Sequence, residues 1–342
     1  MSGCVDKTFI VGITPAAIAI TPDDKFAYVA DSNNYGIPGS DTVTVLNLET
    51  SLKQLNISDP SFNEPYRIAI DRAGKYAYVC NSGSPSKVGQ EGTVSIINTR
   101  TNTVSGVITG FDGPGGIALS KSKAYVTNYG ASGGVHSGNG KTISVVDLQT
   151  RKITNTIEVD QGPAAIALSA CSRLLYVICY VDGNPGTGTL QVIQRKTNTI
   201  IATIKGFFGP FGIALTKCCS YAYVTNFGSN NFTPYGTTVS LVDLKKYKIL
   251  KNIEVGIQPS GIAISDNYLY ISNYNALYAH PDADLTYGEG TINIICLKKN
   301  IVVAPVIPIG ETPSTITLSP NKKTLYVCNY SQNVVRAISL CP

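Results

Sequence analysis

The sequence has few of the residues from which many enzymes and membrane proteins are built. Its 342 residues include no tryptophan, one methionine and two histidines, and charged residues make up only 14% of the chain. No apolar run approaches the roughly 20 residues of a membrane-spanning helix, and the first residues lack the basic and apolar stretches of a signal peptide. We therefore expect no membrane insertion and a protein that stays inside the cell.

The cysteines and the net charge exclude further classes. Nine cysteines is an odd number, and they fall at no repeating offset and at no zinc-binding spacing, unlike a disulfide framework or a zinc site. This indicates a reducing environment. The formal net charge is only +5 without any basic run, which disfavours nucleic acid as a partner.

One short pattern recurs along the whole chain. A Tyr-Val-x-Asn tetrapeptide or a close variant begins at seven tyrosines: Tyr28, Tyr78, Tyr125, Tyr176, Tyr223, Tyr270 and Tyr326. Successive tyrosines are 50, 47, 51, 47, 47 and 56 residues apart. Self-similarity at such a period is typical of propellers and solenoids.

The third repeat shows the order of strands and turns within one unit. Turn residues divide it into four short strands, which we call a, b, c and d, over 116–120, 123–128, 142–148 and 153–159. Strand c is almost continuously apolar, which predicts burial on both faces. A four-stranded sheet covered on both sides by copies of itself is a propeller blade.

Two further positions repeat with strand a. Its middle residue is small in every unit, as expected where blades converge on a central axis: Ala19, Ala69, Ala118, Ala167, Ala214, Ala263 and Thr317. A proline precedes the strand each time, where its fixed φ and missing N–H suit a strand start. We interpret both features as structural.

The two ends of the chain predict how the ring closes. The last repeat stops after strand c, and residues 7–13 resemble a d strand without a unit of its own. Pairing the two removes both loose edges. The sequence thus predicts one all-β domain over 1–342, a seven-bladed β-propeller with four antiparallel strands per blade. The predicted blades span 14–58, 59–110, 111–160, 161–206, 207–256, 257–310, and 311–342 together with 7–13.

The repeated pattern PxGIAxS…YVTN…TxSVID, present along the whole chain, resembles the YVTN-repeat propellers of microbial surface proteins and large DNA viruses. The architecture is WD40-like, although the W-D signature is absent. This resemblance implies adhesion or scaffold roles and adds the inside or surface of a virus particle as a location. Local departures are Asp31 and Cys179, which replace the motif asparagine in two blades.

Variable loops are where we expect binding to reside. The a–b and c–d turns are short in every unit, whereas the b–c connections are long and dissimilar. Aromatic residues follow the motif or lie deeper in these connections, and we take them as candidate binding residues: Tyr129, Tyr180, Phe227, Tyr274, Tyr330, Tyr35 and Tyr235. The competing interpretation is that each ring covers its loop base and fills the seam to the next blade.

Few residues are candidates for catalysis or for binding a metal or cofactor. His136 and His280 lie in different b–c loops, and no G-x-S-x-G elbow supports a catalytic triad; we add both as loop-face binding candidates. Asp282, Asp284 and Glu289 offer carboxylates for a cation but do not follow the calcium-loop order. We expect no metal and no cofactor, since tryptophan-stacked quinone sites and glycine-rich phosphate cradles are absent.

The sequence therefore favours a non-enzymatic interaction or structural scaffold that presents its b–c loops to a macromolecule, with protein the favoured partner. Two alternatives stay open. One is a hydrolase resembling the lactonase propellers, with its site at the channel mouth. The other is a carbohydrate-binding module with several weak, equivalent sites.

Overall fold

A computed structural model describes residues 5–33, 36–83, 92–130, 138–181, 184–229, 234–277 and 286–340. All regular elements over these ranges are β-strands. Accordingly, no helix in the described part of the chain is long and apolar enough to cross a membrane.

The strands form seven sheets of four antiparallel strands, arranged as blades around a central axis, which confirms the predicted propeller. Strands a, each starting at the repeat proline, are Pro15–Ile20, Pro65–Ile70, Pro114–Leu119, Pro163–Leu168, Pro210–Leu215, Pro259–Ile264 and Pro313–Leu318. Strands b, which carry the tyrosine motif, are Phe26–Asp31, Tyr76–Asn81, Lys123–Asn128, Leu174–Cys179, Tyr221–Gly228, Tyr268–Asn273 and Thr324–Asn329.

The outer half of each blade consists of strands c and d. Strands c are Thr42–Asn47, Gly92–Asn98, Thr142–Asp147, Gly188–Gln194, Tyr235–Asp243, Glu289–Cys296 and Val334–Ser339. Strands d of the first six blades are Leu52–Ser58, Thr103–Phe111, Lys152–Glu158, Thr199–Phe207, Lys248–Glu254 and Ile301–Glu311. A two-stranded ribbon, Ala276–Leu277 with Thr286–Tyr287, extends the b–c connection of blade six.

The seventh blade takes its strand d from the other end of the chain. Val5–Ile10 pairs antiparallel with Val334–Ser339, so the strand starts two residues earlier and ends three residues earlier than predicted. Its register shift lies between Val5 and Lys7, the place at which strand d of blade three bulges opposite Val145 and Val146. The N-terminal segment is therefore a genuine strand d in the register of the other blades.

The hydrophobic core lies between the blades. Seven clusters of buried side chains each combine residues from two neighbouring blades. The motif tyrosines contribute large side chains to these seams, and Tyr28, Tyr125 and Tyr176 are each only 1% exposed. Strand c is buried on both faces, as predicted, because each of its faces lies in one of these seams.

Crowding at the axis explains the small residues of strand a. The strands a of adjacent blades contact one another around the whole ring. A Cβ added to Gly212 would lie 2.7 Å from the carbonyl oxygen of Ser260 in the next blade, closer than real Cβ atoms come. In blade five, the third residue of strand a therefore has no room for a side chain.

Blade seven has hydroxyl residues at strand a positions that are mostly alanine or glycine in the other blades. Its strand a has hydroxyl side chains that donate to main-chain carbonyls of strand a in blade one. Ser314 bonds Pro15 at 3.2 Å, Thr315 bonds Ala16 at 2.9 Å, and Thr317 bonds Ile18 at 2.9 Å. We call this row the hydroxyl clasp. It joins the last inner strand to the first.

Candidate functional site

The asparagine that ends strand b is a structural residue. In blade three the Asn128 side-chain amide donates to the hydroxyls of Thr142 at 2.8 Å and Ser144 at 3.0 Å, both in strand c. Asn81, Asn226 and Asn273 make corresponding bonds to strand c of their own blades. Asn329 of blade seven instead donates to the main-chain carbonyls of Ile309 and Glu311, so the partners are mainly side chains of strand c.

Strand order separates two faces of the disk. Because strands a to d alternate in direction within each sheet, the b–c and d–a connections emerge on one side, which we call the loop face. The a–b and c–d turns emerge on the other side, which we call the turn face. The residues after the tyrosine motif therefore lie beside the first residues of strand a, at the loop-face end of the central channel.

Aromatic rings bridge neighbouring blades on the loop face. The Tyr180 hydroxyl of blade four donates to the Gly228 carbonyl of blade five at 3.1 Å. The Phe227 ring of blade five lies 6.0 Å from the Tyr274 ring of blade six. A Cβ built on Gly162 of blade four would lie 3.6 Å from the Tyr129 ring of blade three. Each of these rings helps to fill the seam to the next blade.

Blade two places a single cation at the same end of the channel. The guanidinium of Arg67 lies 4.2 Å from the centre of the Tyr66 ring and 5.5 Å from the centre of the Phe211 ring. Phe211 belongs to blade five. Blades two and five are not neighbours in a ring of seven, so Arg67 reaches across the channel.

These groups form one connected surface. The Phe211 ring is 5.4 Å from the Phe227 ring, which in turn contacts Tyr274. Contacts therefore run from Tyr66 through Arg67 and Phe211 to blade six. We call the five residues Tyr66, Arg67, Phe211, Phe227 and Tyr274 the channel mouth.

Arg67 is the only charged residue among the five of the channel mouth. It is the only residue with a charged side chain in the seven strands a, and it forms no ion pair with any residue that the structure describes. The faces of aromatic rings hold a guanidinium electrostatically. Burial raises the pKa of Tyr129, with neighbouring Tyr66 and Tyr180 adding to the shift, so its phenol is neutral around pH 7.

The predicted aromatic candidates divide into two groups. Phe227 and Tyr274 belong to the channel mouth, and Tyr129 and Tyr180 lie beside it, all four half-buried. Tyr330 is also half-buried, and its backbone N–H donates to Thr312 at 3.0 Å. Tyr235 begins strand c of blade five and pairs with Gly228.

The remaining candidates lie largely outside the described residues. This applies to Tyr35, His136, His280, Asp282 and Asp284. Glu289 is described and exposed, at the first position of strand c in blade six, opposite Glu311. Within the described ranges, no three His, Cys, Asp or Glu side chains come together as a metal site.

Sequence reasoning missed three residues of the mouth: Tyr66, Arg67 and Phe211. The signal was present in strand a, at its second and third residues, where the proline is the first. Other blades have Ala, Gly, Ser or Thr at these positions, whereas blade two has Tyr and Arg and blade five has Phe.

Comparison with known proteins supports the fold alone. No family model matches the chain, and no curated protein matches it. Among solved structures, 1519 chains match, so the architecture is too widespread to indicate an activity. One of them, titled Kuenenia stuttgartiensis Hydrazine Synthase, has a TM-score of 0.77 at 19% identity over 96% of both chains.

Proposed function

We propose that the protein is a non-enzymatic binding or structural scaffold whose loop face engages a macromolecular partner, with the channel mouth at the centre of the contact. The observation that carries this proposal is the break in sevenfold repetition at Tyr66, Arg67 and Phe211. Positions occupied by small residues in the other blades here carry two aromatic rings and a cation. The propeller itself does not require them, since the other blades form without them.

The chemistry of the mouth suits a protein partner. Tyrosine and arginine are enriched among residues that dominate binding energy at protein interfaces. Here the rings hold one another and the guanidinium in place, so little side-chain freedom is lost when a partner docks. An acidic side chain beside an apolar one is the partner chemistry that this surface fits.

The arrangement favours one composite site over several equivalent ones. Repeated carbohydrate sites would need the rings of successive blades in similar, open settings. Instead Tyr180 is bonded to Gly228, and Phe227 lies between Phe211 and Tyr274. We therefore place carbohydrate behind protein as a partner, and a lactonase-like hydrolysis behind both.

Membership of the YVTN-repeat family is part of this proposal. It is supported by the seven copies of the tyrosine motif and the repeat grammar around them. A role at a microbial or viral surface, or inside a virus particle, is the corresponding biological setting. Both statements depend on the resemblance and not on the comparisons.

Site-specific photo-crosslinking tests the proposal. A photoreactive residue at Tyr274, half-buried on the loop face, is expected to capture a discrete protein from the native source. The same residue at Tyr221, which is 40% exposed near the turn face, serves as the matched control. Mass spectrometry identifies the captured species.

The Arg67→Ala variant adds the decisive comparison. Capture from position 274 should fall by about tenfold or more if the guanidinium anchors the partner, since buried interface anchors contribute ~2 kcal/mol or more. Equal capture from positions 274 and 221, or capture that does not depend on Arg67, would contradict the proposal. A glycan array and a lactone-hydrolysis assay on the same protein examine the two alternatives.

A further inference from the structure

The turn face has a groove that the proposed function does not use. It lies between blades three and four and has a volume of about 580 Å³, within the range of roughly 300–1,000 Å³ that is typical of small-molecule sites. Its walls come from the start of strand b in blade three and from both turns of blade four. We call it the basic groove.

All charged side chains that line the basic groove are positive. Four cationic side chains line it, Lys123, Arg173, Arg195 and Lys196, and no carboxylate does. None of the four forms an ion pair with a residue in the described ranges. The nearby Asp147 accepts backbone N–H bonds from Gln149 at 3.0 Å and Thr150 at 2.8 Å in its own turn, so these bonds hold its carboxylate at that turn.

Part of the groove is held in place before any ligand arrives. The Arg195 guanidinium donates to the Ser172 carbonyl at 2.6 Å and lies 5.7 Å from the centre of the Tyr125 ring. Arg195 is half-buried, so its position is fixed by the seam. A pre-positioned guanidinium loses little freedom when it binds an anion.

The corresponding seams between other pairs of blades are closed differently. Between blades one and two, the Tyr28 hydroxyl donates to the Thr99 carbonyl of the c–d turn at 3.1 Å. Between blades five and six, Tyr223 likewise bonds Asn300 of the c–d turn. Between blades three and four, the group of the c–d turn that lies beside Tyr125 is instead the cationic side chain of Arg195, which contacts both the Tyr125 ring and its hydroxyl. The basic groove therefore differs from those two seams.

We propose that the basic groove binds a small phosphorylated anion that carries two or more negative charges. Guanidinium groups match phosphate oxygens in geometry and bind them with charge-assisted hydrogen bonds. Lysines at the rim add point charge, and the groove holds a molecule of metabolite size. The site lies on the face opposite the channel mouth, and the proposal does not depend on the proposed function.

A second groove supplies a matched control. It lies on the turn face between blades five and six, with a volume of about 610 Å³. Its lysines, Lys217 and Lys298, share the groove with Asp266, whose carboxylate lies 2.7 Å from the Lys322 ammonium. The two grooves have similar size and location but different charge.

Calorimetric titration at constant ionic strength tests the proposal, with tripolyphosphate and inorganic phosphate as probes. We expect tripolyphosphate to bind the full chain more tightly than phosphate, and binding to weaken as salt is added. Arg173→Gln, at an exposed position, should raise the tripolyphosphate Kd about tenfold or more, because a charge-assisted bond is lost. Arg195→Gln should do the same, with the melting temperature recorded to confirm folding.

Three results would overturn the site. One is a tripolyphosphate Kd unchanged by Arg173→Gln in a folded protein. Another is an equal loss in the control variant Lys217→Gln/Lys298→Gln, which would indicate general surface charge. The third is binding of a short single-stranded oligonucleotide without binding of tripolyphosphate, which would indicate a surface that follows a nucleic-acid backbone.

Discussion

A single residue, Asp31, stands where other blades have a buried asparagine. Its carboxylate accepts bonds from the hydroxyls of Thr44 at 2.7 Å and Thr42 at 2.9 Å and from the Gly12 N–H at 3.1 Å. Burial raises the pKa of Asp31 to about 7 against the opposing effect of these bonds. The carboxyl is therefore about half protonated in the folded protein at neutral pH.

This predicts a pH-dependent stability that Asp31→Asn removes. The folded pKa of about 7 lies above the ordinary value of 3.8, so the stabilising protonated form is fully populated below pH ~4. Its contribution is lost as the pH rises through 7. We expect the free energy of unfolding to fall by a few kcal/mol over this range in the parent, and Asp31→Asn to be flatter and more stable at pH 8.

Denaturant titrations at pH 5 and pH 8 measure this difference. The comparison is between the two proteins at each pH, so other titrating groups cancel to first order. Parallel pH profiles for parent and variant would show that the Asp31 carboxyl is not desolvated.

The described cysteines differ in reactivity by position. Hydrogen bonding, chiefly from Ser220, lowers the pKa of exposed Cys218 to about 7. Burial raises the pKa of Cys80 and of Cys328 to about 12. Because the thiolate is the nucleophile, iodoacetamide should modify Cys218 with a half-maximal rate near pH 7.

Peptide mass spectrometry of the alkylated protein measures the extent of modification at each cysteine. Cys80 and Cys328 should stay unmodified until denaturant is added. Modification of Cys80 in the folded protein at the rate of Cys218 would contradict the buried placement of its strand.

At the scale of single elements, the hydroxyl clasp places three bonds across one seam, whereas Ser260 supplies a single bond of this kind, to the Pro313 carbonyl, between blades six and seven. Thr317→Val keeps the side-chain volume but removes the 2.9 Å bond to the Ile18 carbonyl. We expect a loss of about 1 kcal/mol in the free energy of unfolding. Thr103→Val, at an exposed position of strand d in blade two, is the control and should be close to neutral.

The comparison of the two threonine variants in chemical denaturation decides whether the clasp contributes. A cost for Thr317→Val no greater than for the control would mean that the Thr317 bond does not stabilise the seam between blades seven and one.

The prediction for the whole molecule concerns ring closure. Removing residues 1–13 deletes Val5–Ile10 and leaves the edge of Val334–Ser339 unpaired. Exposed strand edges promote association between chains, so we expect a lower melting temperature and aggregation. Removal of residues 1–4, which leaves the strand intact, is the matched control.

Light scattering during a thermal melt distinguishes the outcomes. Unchanged solubility and melting of the longer truncation would mean that the seventh blade is stable with three strands.

The fold was predictable because the sequence pattern of one blade is repeated seven times. The proline, the tyrosine motif and the doubly apolar strand c recur in register, so a misread strand in one unit is corrected by the others. The closing strand was assigned to the correct blade, but its predicted bounds were shifted along the chain. Val5 and Asp6 are exposed, and the sequence around them has no strong strand pattern. Their register became visible only from the bulge opposite Ile338 and Ala337.

The sites were less predictable, for geometric reasons. Arg67 and Phe211 meet across the channel although 144 residues separate their positions in the sequence. The basic groove joins Lys123 to Arg195 across a seam between blades. Repetition identifies neighbours within a blade, but it does not show which irregular residues of distant blades lie together.

The pairing of Val5–Ile10 with Val334–Ser339 also sets an order of events during synthesis. The ribosome delivers the first strand long before its partner, and the hydrogen bond from Ser339 to Asp6 spans 333 residues. Six blades have all four of their strands from consecutive sequence and can form as they emerge. The first strand must remain unpaired until residues 334–339 have been synthesised, so the nascent chain carries an unpaired strand while the six other blades are made.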